Sequence, residues 1–408
     1  MTDKKVKVNG LFLLRVITYF TIDTILPAEV NSVSTPPQLL YIVRSMKSLI
    51  GFLTFSILIA FKAYSAAQCS VIFNSSASAQ LTEAQIVNLV DKSKSYQDKR
   101  NKAWAERNKC LCCHTSLPYM LSRGLDPESK TNFDAFRDLA VSSVENPQQR
   151  PWYHADDAGR NSKPTEAVLN ALTLLMYDVS NQSSLKPTTL KAVDLIFEHM
   201  ESDGRIHWLD FHLQPFESKN GELWGNSMAI LVIEMAKKHF EYVPRPAQYG
   251  KLKAYVLGHL DQLKLHEMSV LLWANSQGGN PKLLSRELSD LFVGKILASQ
   301  NENGSWNQKA VLGQGQNEEN IYATSIALIG LINARQINNS LTHKAAKWLG
   351  DQQQTGDFLN MGEGSVIWPA KSMNRTGSVH NDRFASDFTT SYASLALQLY
   401  RREVLLTP

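Results

Sequence analysis

Three of the four cysteines lie in one short segment and are followed directly by a histidine. The segment reads Cys110-Leu-Cys112-Cys113-His114 and contains the spacing C-x-x-C-H. This spacing is the attachment signature of a c-type haem, because two thiols add to the vinyl groups of the macrocycle and the adjacent histidine binds the iron. We therefore predict a covalent haem c on Cys110 and Cys113, with His114 as the iron ligand.

Other interpretations of the same segment stay open. Met120 and His154 are candidates for a second axial ligand, although neither spacing is diagnostic. Cys112 is unusual for a haem site, because a spare thiol can divert the attachment. The cysteines and the histidine could instead bind zinc or copper, or the cysteines could be structural, for example through a disulfide with Cys69.

A second polar segment runs from His207 to Glu217 and is rich in titratable and aromatic side chains. His207, Asp210, His212 and Glu217 are the candidate catalytic residues, because paired histidines and carboxylates can do acid–base work. The segment lies in a predicted loop between two helices, where it would rim a central cavity. The alternative interpretation is a packed loop with capped helix ends.

Helices must position these residues, since apolar side chains recur at three- and four-residue spacing from residue 165 onward and no strand-like alternation appears. Predicted helices alternate between small apolar ones and ones with a charged face, as an inner and an outer ring require. The fold class is therefore all-α, an (α/α)6-type toroid with about five to six helix pairs. An open solenoid is the alternative. The predicted helices cover residues 165–178, 185–200, 226–240, 249–263, 267–275, 284–299, 320–335, 342–353 and 386–401.

Glycines recur near the ends of the outer helices at a spacing of roughly fifty residues, at Gly204, Gly258, Gly304 and Gly356. Around Gly304 the sequence reads Gln300-Asn-Glu-Asn-Gly-Ser-Trp306. Weaker copies end at Trp208 and Phe358. We expect each glycine to stop an outer helix and each aromatic ring to pack back over the helix end, so Trp208 and Trp306 should be buried.

The Q-x-x-x-G-x-W pattern resembles the repeat of the squalene/hopene-cyclase and prenyltransferase superfamily. The resemblance covers residues 95–402 and favours a bacterial branch with a C-x-x-C-H-T-x-x-P-Y motif before the toroid. The matching stretches are Cys110–Tyr119, Thr165–Leu172 and Leu265–Ala274. It implies the toroid fold and an apolar, isoprenoid-like ligand.

Terpenoid cyclisation of the usual kind is not supported, because the D-x-D-D acid is missing and the nearest string is His154-Ala-Asp-Asp157. No cysteine follows Cys113, so the zinc site of protein prenyltransferases is missing too. Side chains that could line a ligand cavity, or belong to the core instead, are Glu166, Trp208, Trp224, Trp273, Tyr322 and Asp387.

The start of the chain predicts export. Residues 1–45 are interpreted as an upstream over-call or a disordered segment, 46–67 as a signal peptide or N-terminal membrane anchor, 68–160 as a helical segment with C-x-x-C-H, and 161–408 as the toroid. The expected location is the periplasm, either free or facing it from an N-terminal membrane anchor. A net charge of +4 without basic blocks argues against nucleic-acid binding.

Three functions follow. The first is a redox protein with a haem, an apolar ligand and a periplasmic electron-transfer partner. The second is a divergent terpenoid cyclase or isomerase with another acid. The third is a non-catalytic binding module with structural cysteines.

Overall fold

The computed structural model describes residues 80–124, 133–147, 161–181, 184–279, 281–337, 339–357, 364–375 and 377–406. Residues Ser78–Pro408 form one compact unit. The segments 1–45 and 46–67, Cys69, His154 and Phe358 lie outside the described residues. In the part of the chain that is described, none of the helices combines the length and apolar character needed to cross a bilayer.

The secondary structure is almost entirely helical, which confirms the all-α prediction. The elements are α1 Glu83–Asn108, α2 Ser116–Arg123, α3 Phe133–Glu145, α4 Ser162–Ser180, α5 Pro187–Glu198, α6 Glu222–Phe240, α7 Pro246–Gly258, α8 Leu265–Gln277, α9 Arg286–Ala298, α10 Gln308–Leu312, α11 Ile321–Asn333, α12 Ser340–Asp351, β1 Gln354–Gly356, β2 Ser365–Ile367 and α13 Val379–Tyr400.

Two kinds of helix alternate, as the residue pattern predicts. In α11 every residue from Tyr322 to Ile332 is buried, and the side chains include several small ones. In α12 only one face is buried, formed by Thr342, Ala345, Ala346, Trp348 and Leu349. Fully buried helices need small residues for close packing, whereas half-buried ones keep a solvated face.

The buried helices contact one another in cyclic order. Helix α2 packs on α4, α4 on α6, α6 on α8, α8 on α11, α11 on α13, and α13 returns to α2. The half-buried helices α1, α3, α5, α7, α9 and α12 pack outside this set. The cyclic order of neighbours is the one that the predicted (α/α)6 toroid requires, and we call the six buried helices the inner ring.

Two features differ from the sequence-based expectations. Helix α2 follows the cysteines directly and belongs to the inner ring. Helix contacts therefore cross the boundary that the sequence predicted between the segment 68–160 and the toroid 161–408. The expectation of no strands was wrong at one place, where Gln354–Gly356 pairs antiparallel with Ser365–Ile367. The hairpin is only three residues per strand and lacks the alternation that a strand search detects.

The junction at Gly304 confirms that the ring of Trp306 packs back over the helix end, but the glycine does not stop α9, which ends at Ala298 with Ser299 as its C-cap. Gly304 has φ +97°, and a Cβ there would lie 2.5 Å from the backbone of Lys344 in the next outer helix. Trp306 is fully buried and its indole N–H donates to the Ile296 carbonyl near the end of α9 (2.8 Å). The Gln300 amide donates to the carbonyl of Leu341 (2.9 Å) and so bridges to α12.

The other junctions reuse this geometry with different residues. Gly204 has φ +99° and abuts Lys251 of α7, and the fully buried Ile206 follows it at the spacing of Trp306 after Gly304. At the next repeat, Trp368 donates to the carbonyl of Leu349 (2.6 Å). Gly258, in contrast, has open space around it and is not a junction glycine.

Trp208 is buried, as predicted, but not as a copy of Trp306. Its ring packs directly on Gly225, where a Cβ would approach it to 2.1 Å. Its indole N–H donates to the Phe216 carbonyl (3.0 Å) within the loop between α5 and α6. The aromatic residue therefore stabilises this loop, and Ile206 takes the junction position.

A buried ion pair joins the first and last helices. Asp387 of α13 is 3% exposed and accepts two hydrogen bonds from Arg100 of α1 (2.8 and 2.5 Å). Tyr96 donates to the same carboxylate at 2.8 Å and Thr115 at 2.9 Å. Four donated hydrogen bonds satisfy the carboxylate, so Asp387 links α1, α13 and the turn that carries the cysteines.

Candidate functional site

The cysteines lie in a tight buried turn between α1 and α2, which we call the cysteine turn (Cys110–Thr115). Cys112 Sγ accepts the backbone N–H groups of His114 and Thr115, both at 3.3 Å. The three cysteines form no disulfide within the described residues. Burial raises the pKa values of the Cys112 and Cys113 thiols, and the nearby Glu217 raises them further. Protonated buried thiols are poor nucleophiles, so these cysteines do not resemble an activated catalytic thiolate.

His114 and Glu217 form a buried pair behind this turn. His114 Nδ1 lies 3.6 Å from Glu217 Oε2, and the histidine is 1% exposed. Burial raises the pKa of Glu217, but its interaction with His114 and hydrogen bonds from His114 and Cys113 outweigh this, so the pKa lies below its usual value. The second ring nitrogen, His114 Nε2, has no hydrogen-bond partner. Glu217 therefore lies at one nitrogen of the ring, and the other nitrogen is left buried without a partner.

A cavity of about 430 Å³ opens beside the pair, and we call it the first cavity. The starts of α4 and α13, the end of α1, the cysteine turn and the loop after α5 form its wall. Its apolar lining residues are Trp104, Leu111, Leu169, Leu209, Phe211, Leu213 and Phe384. Nine polar or charged residues complete the wall, so the cavity combines an apolar surface with groups that could orient a ligand.

The centre of the inner ring is filled by Phe216, which comes from the loop between α5 and α6. Its ring lies 4.6 Å from Trp224, 5.3 Å from Tyr322 and 5.2 Å from Phe388. His114 packs on it from the side of the first cavity at 5.1 Å. The loop expected to rim a central cavity therefore folds inward and occupies it.

The structure brings some predicted site residues together and separates others. Cys110, His114, Glu166 and Glu217 line the first cavity. Glu166 also accepts a hydrogen bond from Ser143 (2.5 Å).

The other catalytic candidates of the loop do not line the first cavity. His207 lies 3.2 Å from Glu201. Asp210 lies 3.1 Å from the exposed His212 and accepts its backbone N–H. These three residues fit the interpretation as a packed loop.

The remaining cavity candidates lie in the core. Trp224 and Tyr322 are fully buried around Phe216, and Trp208 packs against Trp224 at 5.6 Å. Trp273 is 7% exposed within α8. Asp387 serves the ion pair between α1 and α13.

A covalent haem does not fit this arrangement of the cysteine turn. Cys113 is fully buried, does not line the cavity, and hydrogen-bonds to Glu217. The His114 ring packs against the rings of Phe216, Phe384 and Phe388 at 5.1 to 5.8 Å, so a macrocycle would have to displace aromatic side chains. Haem attachment stays a prediction that would require the turn to open.

The alternative ligands for a metal are also not assembled. Met120 is fully buried in α2 and does not line the cavity. Among the described residues, no three His, Cys, Asp or Glu side chains are grouped so that they could hold a metal ion. The zinc interpretation therefore has no ligand set in that part of the chain.

The sequence analysis did not identify several residues that line the first cavity. Trp104 and Phe384 face each other edge to face at 5.4 Å, although they are 280 positions apart in the chain. Phe384 lies at the start of the last inner helix, where a search of inner-helix starts would have found it. No sequence feature indicated that Phe216 fills the centre of the inner ring, because an aromatic residue after a proline is common in loops.

No family model matches the sequence, and no curated protein matches it significantly.

Proposed function

We propose that this protein binds an apolar, isoprenoid-like small molecule in the first cavity. The observation that carries the proposal is the cavity itself: aromatic and aliphatic walls with His114 and Glu217 at one side. Burial of apolar ligand surface would supply the affinity, and the few polar groups would fix the orientation of the ligand.

The size of the cavity limits the ligand. A volume of about 430 Å³ corresponds to roughly 14 groups of the size of a water molecule, at about 30 Å³ each. A short isoprenoid alcohol fits this space, whereas a triterpene does not. Because Phe216 fills the ring centre, the cavity does not continue into it.

A second candidate on the same cavity is an isomerase that shifts a double bond in its ligand. The unpaired Nε2 of His114 favours it, because this nitrogen could remove a proton from one carbon and return a proton to another. Glu217 would hold the ring through Nδ1. Neither carbon skeleton nor charge changes in such a reaction, so no further reactant is needed.

Titration of the purified protein with farnesol, followed by tryptophan fluorescence, tests binding. Trp104 lines the cavity, so a bound ligand should change its emission. Farnesol should saturate the signal and the much longer squalene should not. Equal binding of both, or of neither, would contradict the proposed site.

Two variants localise the signal. Leu169→Trp places a large ring in the cavity wall and should abolish the titration, whereas Leu190→Trp adds the same ring at a position 39% exposed on α5 and should leave it intact. For the isomerase, incubation in D₂O should introduce deuterium into the ligand, and Glu217→Gln should slow this exchange without preventing binding.

A further inference from the structure

A second cavity lies at the starts of α6 and α8, and it shares no lining residue with the first. Its volume is about 530 Å³. The wall is mostly polar and contains lysines, carboxylates and amides rather than an apolar surface. The second cavity therefore suits a different kind of ligand from the first cavity.

His266 gives this cavity a buried hydrogen-bond donor. The residue is 2% exposed, and burial lowers its pKa to about 3, so the imidazole is neutral. Burial raises the pKa of Tyr322, whose hydroxyl lies 3.3 Å from His266 Nδ1 and keeps the proton that it can donate there. In that tautomer Nε2 carries the hydrogen, and Nε2 has no partner.

Glu267 lies beside it and offers a carboxyl group. Its Oε2 accepts the backbone N–H of Lys264 at 2.7 Å. The side chain is buried and belongs to the wall of the same cavity. The wall of the cavity therefore contains a buried N–H without an acceptor and a buried carboxyl group with unused capacity.

The charges in the wall exclude strongly charged ligands. Lys219 and Lys264 are offset by Glu222, Asp261 and Glu267, so neither an anion nor a cation meets a field of one sign. An apolar ligand would leave the His266 donor unpaired. A hydroxyl group both accepts and donates, so hydroxyl groups can pair with a donor such as His266 and with an acceptor such as Glu267.

We infer that this second cavity is a binding site for a small neutral hydroxylated molecule, such as a monosaccharide or a polyol. The volume equals roughly 18 water-sized groups at about 30 Å³ each, which is enough for a hexose with some retained water. Exposed amides at the rim, including Gln262, can take the outer hydroxyls.

Saturation-transfer NMR with glucose, sorbitol and maltose at millimolar concentration tests the inference on the full chain. At least one of these probes should receive magnetisation from the wild-type protein. His266→Phe removes the donor and should weaken binding more than tenfold. Absence of transfer to all three probes would overturn the inference.

A second pair of variants covers the possibility that His266→Phe disturbs the fold. Gln262→Trp fills the cavity from its exposed rim and should abolish the transfer. Val243→Trp adds the same ring at a position 80% exposed elsewhere and should leave it unchanged. Transfer that survives Gln262→Trp would place the binding outside this cavity and refute the assignment.

Discussion

The Gly304 junction and the cysteine turn are both buried, yet their polar residues are placed differently with respect to the first cavity. At the junction the backbone and indole N–H groups of Trp306 and the amide of Gln300 all have acceptors at normal distances. At the cysteine turn His114 Nε2 has none, and a carboxylate lies beside it. Both places leave one buried polar atom unpaired, Gln300 Oε1 at the junction and His114 Nε2 at the turn, but only His114 lines the first cavity.

This difference separates residues that build the ring from residues that could bind. A buried unpaired polar atom costs about 1–3 kcal/mol at either place, but only in a residue of the cavity wall could a ligand offset that cost. Changes at the junction should therefore alter the free energy of unfolding. Changes at the cysteine turn should alter it less and affect ligand binding more.

The largest effect is expected for Trp306→Ala. The ring is fully buried, so its removal should lower the free energy of unfolding by about 3–5 kcal/mol. Urea denaturation measures this value. Trp104→Ala is the matched variant: its ring lies in a cavity wall and is only partly buried, so it should cost less stability and reduce farnesol binding. Equal stability losses in the two variants would remove the distinction.

Glu267→Gln should produce a pH-dependent gain of stability. Burial raises the Glu267 pKa from 4.5 to about 7, so the folded protein holds a proton that the unfolded chain releases as pH rises through this range. The contribution of Glu267 to stability is thus fully present below its pKa in the unfolded chain, 4.5. As the pH rises towards neutrality, the free energy of unfolding falls by about 3 kcal/mol, at about 1.4 kcal/mol per pH unit.

The difference between Glu267→Gln and wild type should therefore be near zero at about pH 4 and largest near pH 8. His266 acts in the opposite direction, since burial lowers its pKa from 6.5 to about 3 and its penalty appears as pH falls. Because that penalty is common to both proteins, it cancels in their difference. A difference independent of pH would contradict the titration of Glu267.

Gly304→Ala should cost about 1–3 kcal/mol, because the residue has φ +97° and a Cβ would overlap Lys344. Gly258→Ala is the control: it has open space and lies in a helix, so alanine should stabilise by up to about 1 kcal/mol. Thermal unfolding of the two variants in parallel compares them. A similar loss in both would mean that Gly258 is a junction after all.

The smallest effect is expected for Cys112→Ser, within about 1 kcal/mol, because a serine hydroxyl can accept the same two backbone N–H groups. Farnesol binding should also be kept, as measured by the fluorescence titration. Loss of the fold in this variant would show that the thiol itself is needed.

Most helices of the inner ring could be predicted from the sequence because small and apolar residues recur at helical spacing. The Gly304 junction could be predicted because its motif is complete. Helix α2 was missed, since it is short and contains Pro118 within its first turn. Ile206 was missed as a junction residue because Trp208, two positions later, carries the aromatic ring that the motif predicts. Nothing in the local sequence marks Ile206 instead.

The candidate site was predicted only in part. Cys110, His114, Glu166 and Glu217 could be named from residue type, and they share one cavity. Trp104 and Phe384 could not, because only the contact between the first and last helices brings them together. His266 and Glu267 are buried because the surrounding elements exclude water from them. This burial depends on packing in three dimensions, so no local sequence pattern predicts it.

The ion pair between Arg100 and Asp387 also sets an order of events during synthesis. The two residues are 287 positions apart, so α1 is complete long before its partner helix exists. Until α13 docks, Thr115 lacks its acceptor and the first cavity lacks Phe384. The last helix to be synthesised therefore completes both the anchoring of the cysteine turn and the wall of the first cavity.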